Sequence, residues 1–361
     1  MKKKKRHIIL YIVSILLISI IGVAALGSYY VISTVNKISN KTTKNTDGTI
    51  VEIPKIDSSK LNIPVTEEET SNFSEKITNI AVFGIDERAP EYNGDWARAD
   101  SIIILTIDEK NNKIKLSSVL RDTYVNVLEY GNTIKDKINH SFAYGAGEEY
   151  AVSNNALLAY HAGEVRAIET LNDNFKLDIK DYAIINFNSF KNVIDRLGGV
   201  DINLTQIEIN RINASASNPV PDGEGYKTLN GEQALIYARD RYDGTDTDRS
   251  LRQRNVIAAV AKKMGTVNIV DLPGVISELL TAVKTSLDIN GILSLSTKAL
   301  LNKMPMENTR FPVDGNWSSE MIGGVSYDVI LDEGLNLNQM RDFIYNDIIP
   351  QGNVTTTTAP Q

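Results

Sequence analysis

Asp86 and Asp100 each stand where an apolar run meets a polar stretch, and Arg98, Arg121 and Asp122 stand at similar junctions. Residues 80–85 form a short apolar run ending at Asp86. A second run, 102–107, follows Asp100, and 113–119 alternates like a half-buried strand just before Arg121. If the first run pairs antiparallel with the second across the loop 87–99, both aspartates fall on one sheet edge. The turn-forming stretch 108–112 then returns the third run, which delivers Arg121 and Asp122 to that edge. Carboxylates brought so close repel unless a proton or a cation separates them, and an oxygen-only donor set suits Mg²⁺ or Mn²⁺. A ring of surface ion pairs at loop ends, nearly neutral in energy, would leave the same residues in the same places.

A second charged stretch interleaves Arg239, Arg241, Arg249, Arg252 and Arg254 with Asp240, Asp243, Asp246 and Asp248. Arg249 and Arg252 fall near the predicted start of a helix, where a cation opposes the helix dipole. An anion held there would use both the guanidinium and the free N–H groups, which points to phosphate. A solvated acid–base pattern on two helices is the plainer alternative. In the run KDKINHSFAYG, Lys135 and Lys137 add positive charge. Lys137 is the better ligand of the two, and His140 is as readily a structural histidine bonded to backbone as a participant.

The elements that must position these groups read as alternating strands and helices. Strands are expected at 182–187 and 200–204, bracketing a helix that starts near Asn188 and stops at the Gly198–Gly199 pair. Asn230, with Gln233 three residues on, predicts a capping box for a helix running toward Tyr242. Thr247 or Asp248 is the expected cap of the next helix, which carries Leu251, Val256, Ile257 and Val260 on its apolar face and ends near Gly265. A further strand is expected at 325–331, and no linker-like break divides 77–350.

The chain has 361 residues, 42% hydrophobic and 23% charged, enough to bury a sizeable core. Its net charge of −7 argues against a general nucleic-acid binder, which needs a basic surface to displace counterions. There is no cysteine, so disulfides, thiolate metal sites and cysteine nucleophiles are excluded, and three histidines argue against a histidine-rich metal site. After the basic residues 2–6 the chain carries no charged side chain from Ile8 to Asn36. Such a run crosses a bilayer as a helix with its basic flank in the cytoplasm. The expected organisation is a cytoplasmic tail at 1–7, a transmembrane helix at 8–32, an extracellular stalk at 33–76, a domain at 77–350 and a disordered tail at 351–361. A cleaved secretory signal is disfavoured, because the apolar run is too long and lacks a clear small-x-small cleavage site.

Taken in order, GID (84–86), RADSIIILTID (98–108), SVLRDTYV (118–125), KINHSFAYG (137–145), DYAIINFNSF (181–190), LGGVDINL (197–204), LNGEQALIYARDR (229–241) and DRSLRQR (248–254) resemble the LytR-CpsA-Psr family. The resemblance is densest over 77–265. It implies an extracytoplasmic three-layer α/β/α domain, a mixed central sheet between helical layers, that binds a polyprenyl pyrophosphate lipid with its tail in an apolar cleft. It also implies a phosphotransferase that attaches teichoic acid, capsule or another secondary polymer to peptidoglycan. By motif, Asp86 and Asp100 would hold Mg²⁺, and Arg98, Arg121, Arg239, Arg241, Arg249, Arg252 and Gln253 would hold the pyrophosphate with help from Lys137. Asp86, Asp100 and Arg121 would be the catalytic set, with the general base left open. The sequence departs from the family in the acidic, aromatic stretch containing Glu91, Tyr92, Asp95 and Trp96, in lacking proline before Arg121, and in Asp248 where glycine is common. A lipid-phosphate-binding regulator or scaffold and a pyrophosphatase remain open as alternatives. The former could dispense with the carboxylate pair.

Overall fold

The computed structural model describes residues 42–44, 50–52, 73–85, 96, 98–240, 246–264, 283–287, 291, 294–295 and 304–350. The expected membrane helix at 8–32, most of the stalk, the tail at 351–361, and the site residues Asp86 and Arg241 lie outside the described residues. In the stalk region the short strands β1 (Thr42–Lys44) and β2 (Ile50–Glu52) pair antiparallel.

The three apolar runs form the centre of the fold as expected. β3 (Ile77–Ile85) pairs antiparallel with β4 (Ala99–Asp108), which turns back into β5 (Lys113–Val119). Next along the chain is a separate hairpin, β6 (Tyr124–Glu129) with β7 (Asn132–Lys137), followed by the long helices α1 (His140–Ser153) and α2 (Ala156–Phe175). β8 (Asp181–Asn186) adds parallel to β3, and α3 (Phe187–Arg196) follows it directly. β9 (Val200–Leu204), α4 (Gln206–Asn213), β10 (Gly225–Leu229), α5 (Gly231–Arg239) and α6 (Asp246–Met264) come next. Among the described residues β9 and β10 pair only with each other, outside the main sheet. β11 (Val283–Thr285) and β12 (Met306–Phe311) then close the two edges of a six-stranded mixed sheet of order β11-β8-β3-β4-β5-β12. A last hairpin, β13 (Trp317–Ile322) with β14 (Val325–Ile330), precedes α7 (Glu333–Tyr345).

Both faces of the sheet are covered, and strand alternation divides the residues between them. Ile77, Ala81, Phe83 and Ile85 of β3 pack with Ile168 and Leu171 of α2 and with Phe343 and Ile344 of α7. Ile80, Ile103, Leu105 and Ile114 face the other way, with Ile257 of α6 packed against them. α1 and α2 approach closely because Gly163 has no side chain: a Cβ there would lie 2.7 Å from the Phe142 carbonyl oxygen. The helix-start signals hold in part. Asn230 and Gln233 form the predicted capping box, whereas α5 ends at Arg239, short of Tyr242. α6 begins at Asp246, ahead of the expected caps Thr247 and Asp248. Arg249 therefore closes its first turn, and Arg252 sits further in.

Candidate active site

Strand direction gathers the site. β3, β8, β5 and β12 run one way and β4 the other, so four carboxyl ends and the start of β4 share one edge. Ligands of α/β sheets collect at such edges. Ile85 ends β3 opposite Ala99, across a register shift. Asp100 is next along β4, and Arg121 follows β5 by one residue beyond Leu120, whose N–H bonds the Phe311 carbonyl of β12 at 3.0 Å.

At this edge a small polar recess is lined by Asp100, Ser101, Ser118, Arg121, Arg249 and Gln253. Arg121 Nη1 donates to Asp100 Oδ1, and Arg121 Nε lies 3.6 Å from Asp122 Oδ2. Arg249 comes from α6 across the sheet face, and its Nη2 donates to the Asp100 carbonyl at 3.1 Å. Arg249 and Gln253 are four residues apart, so both reach the recess from one helix face. Arg254 backs the recess wall by donating through Nη1 to Ser118 Oγ at 2.9 Å. Burial, reinforced by repulsion from Arg310, pulls its guanidinium down to about 10, still cationic at neutral pH. Arg310 itself pairs with Asp314.

Beside the recess lies an apolar cleft open to solvent. Val82, Gly84 and Ile103 of the sheet, Phe190 and Ile194 of α3, Ala234, Leu235 and Ala238 of α5, and Val256 and Ile257 of α6 line it. Ser101 and Gln253 line both cavities, so the charged recess and the apolar cleft meet there. The cleft wall depends on close approach of α5 to α3: a Cβ at Gly231 would lie 2.2 Å from the Lys191 carbonyl oxygen. The arrangement suits an amphiphile whose anionic head meets guanidiniums and whose hydrocarbon runs along the cleft.

The expected site residues separate into groups. Asp100, Arg121, Arg249 and Gln253 converge on the recess. Lys137 is not among the recess-lining residues; its Nζ meets Asp122 at 3.1 Å, the carboxylate that lies 3.6 Å from Arg121 Nε. Arg252 turns elsewhere: its Nη2 bonds the Asp240 carbonyl at 2.9 Å and its Nη1 lies 3.9 Å from Glu208, which ties α6 to α5 and α4. Arg98 and Arg239 are exposed and are not among the recess-lining residues. His140 bonds a carboxylate, Asp136, where the sequence left a backbone partner open. Ser101, Ser118 and Arg254 were not singled out as site residues. The signal for the serines is a small polar residue inside an otherwise apolar strand.

The LytR_cpsA_psr family model matches residues 28–341. A polyisoprenyl-teichoic acid–peptidoglycan teichoic acid transferase TagU of Bacillus cereus is 30% identical over 321 residues, covering 88% of this chain and 91% of its own. TagU of Oceanobacillus iheyensis is 30% identical over 261 residues, covering 72% of each chain. Among solved structures, TagT of Bacillus subtilis with bound octaprenyl pyrophosphate lipid superposes with a TM-score of 0.53 at 20% identity, over 80% of this chain and 95% of that one, a likeness of fold. With its motifs in order and the family model spanning nearly the whole chain, this protein belongs to the LytR_cpsA_psr family.

Proposed function

We propose that the chain is a Mg²⁺-dependent phosphotransferase that attaches a polyprenyl-pyrophosphate-linked anionic glycopolymer, a teichoic acid or capsule-type polymer, to peptidoglycan and releases polyprenyl phosphate. The observation that carries this reading is the junction at Ser101 and Gln253, where the guanidinium-lined recess opens into the apolar cleft. A diphosphate head with a long hydrocarbon tail has the matching sequence of chemistries. The names of the TagU relatives and the octaprenyl pyrophosphate in TagT belong to the same donor class.

In this reading Arg121 and Arg249 hold the pyrophosphate and offset charge as it shifts toward the leaving phosphate. Phosphoryl transfer depends on positioning and charge neutralisation more than on covalent chemistry by the protein. Asp100 holds Arg121 in place through Oδ1 and offers oxygen donors at the recess. Mg²⁺ or Mn²⁺ is commonly bound by one or two carboxylates together with substrate phosphates. Asp100 with Asp86 would hold the ion, which would supply further charge neutralisation at the pyrophosphate. We assign residues 8–32 as a membrane anchor with the catalytic domain outside the cell. That assignment rests on the uncharged apolar run and its basic flank. Among the described residues no helix is long and apolar enough to cross a membrane.

The test is transfer by the full chain, incubated with a polyprenyl-pyrophosphate glycan, Mg²⁺ and peptidoglycan oligomers. Polyprenyl monophosphate and wall-linked glycan should appear together and fall together about 10²- to 10³-fold in Arg121→Ala. Lipid phosphate without wall product would instead identify a pyrophosphatase, and tight donor binding without turnover a scaffold.

A further inference from the structure

Attack on the pyrophosphate requires a group to take the proton of the incoming wall hydroxyl. Asp100 is poorly placed for this, because its Oδ1 is engaged by Arg121. A second cluster that the transfer chemistry has not used lies on the segment whose backbone bonds the turn carrying Arg121. Asp136, near the end of β7 and only 8% exposed, accepts from three donors. His140 Nδ1 lies at 2.8 Å, the Tyr144 hydroxyl at 2.5 Å and the Lys137 backbone N–H at 2.7 Å. Burial opposes the charge on Asp136, but the bonds from His140, Tyr144 and Lys137 together outweigh it and hold its carboxyl down to about 2. An ionised carboxylate has no proton to give, so the imidazole donates to it through Nδ1, which leaves Nε2 as the ring nitrogen not engaged by Asp136.

The segment carrying this pair is laced to the turn carrying Arg121. The Asn139 N–H bonds the Arg121 carbonyl at 3.2 Å, the Ile138 N–H bonds the Thr123 carbonyl at 2.9 Å, and Lys137 Nζ meets Asp122 at 3.1 Å. His140 follows Asn139 directly and opens α1. Its side chain is 22% exposed, so a solvent-borne hydroxyl can approach it. Charged and titratable groups gather around the His140–Asp136 pair from several elements. Asp136 comes from β7, Tyr144 from α1 itself, and Tyr327 from β14 with Lys137 Nζ over its ring at 5.4 Å. Burial and the nearby Asp136 raise both tyrosines, which therefore stay neutral donors.

We propose that His140, aligned by Asp136, takes the proton from the acceptor hydroxyl during transfer. The hydroxyl oxygen bonds to the glycan-side phosphorus as that phosphorus loses the bridging oxygen. The bridging oxygen leaves with polyprenyl monophosphate, and the hydroxyl proton passes to His140 Nε2 and then to solvent. This rests on the transferase reading above.

The decisive variant is His140→Asn, whose amide can still donate to Asp136 but carries no base in the place of Nε2. With the same donor and peptidoglycan oligomers, its kcat should fall about 10²- to 10⁴-fold. Its affinity for polyprenyl pyrophosphate and its melting temperature should stay close to wild type. The acid limb of the wild-type rate profile should disappear. Imidazole in the medium should partly restore His140→Ala. Turnover by His140→Asn within about threefold of wild type, or an acid limb that survives the substitution, would overturn the proposal. Parallel loss of donor binding and turnover would do the same by showing a structural role. Failure of the wild-type chain itself to transfer would overturn the transferase reading and this proposal with it.

Discussion

The two ends of the β4–β5 hairpin carry the same chemistry, a carboxylate beside a cation, and put it to different uses. At the far end, Asp108 and Lys115 are both fully buried, their charged atoms 2.6 Å apart. Lys115 also bonds the Ile344 carbonyl at 3.2 Å and lies 3.3 Å from Asp347, while Asp108 accepts twice more from Asn111. At the near end, Asp100 and Arg121 keep 35% and 12% of their side chains exposed and face an open recess with a second arginine, Arg249. Saturation with internal partners marks a structural pair, because a sealed charge leaves nothing for a ligand. Open geometry with more guanidinium than carboxylate marks a pair prepared for an anion.

The contrast is broken most severely by Lys115→Met, which leaves Asp108 buried without its cation. A loss of about 3–5 kcal/mol is expected in urea unfolding, with donor affinity retained by whatever remains folded. Arg121→Ala should do the reverse, lowering turnover about 10²- to 10³-fold with little change in the unfolding midpoint. Arg252→Ala sharpens the point within a single helix. Because Arg252 ties α6 to α5, its loss should cost about 1.5–3 kcal/mol of stability and leave pyrophosphate affinity nearly unchanged, whereas Arg249→Ala should weaken that affinity. Acid titration probes the Asp136 cluster. Its folded carboxyl, at about 2, lies below the ordinary 3.8, so its contribution is complete above the ordinary value and is lost as pH falls toward 2. That contribution is about 2 kcal/mol, and Asp136→Asn should flatten this part of the stability profile.

Much of the near end could be read before the structure. The apolar runs of β3 and β4 and the alternation of β5 fix the hairpin, and the hairpin brings Asp100 and Arg121 together. The Asn230–Gln233 capping box was equally plain, because its chemistry is local. Helical phase was harder to read. Arg249, Arg252 and Arg254 look alike in sequence, yet one lines the recess, one joins helices and one backs the wall through Ser118. The parallel addition of β12 to β5 joins residues nearly two hundred apart, and no local pattern announces such a pairing. The cleft was hidden for a related reason: Ile103, Leu235 and Val256 are ordinary core residue types, and only the packing of α3, α5 and α6 leaves space between them.

In the proposed function recess and cleft hold one molecule, its head at Arg121 and its tail beyond Gln253. Equilibrium binding of octaprenyl pyrophosphate to the wild-type chain, Arg121→Ala and Leu235→Trp tests this directly, with inorganic pyrophosphate and octaprenol as partial ligands. The account predicts that the intact lipid weakens with either substitution, that pyrophosphate responds only to Arg121→Ala, and that octaprenol responds only to Leu235→Trp. Lipid binding indifferent to either substitution would contradict it.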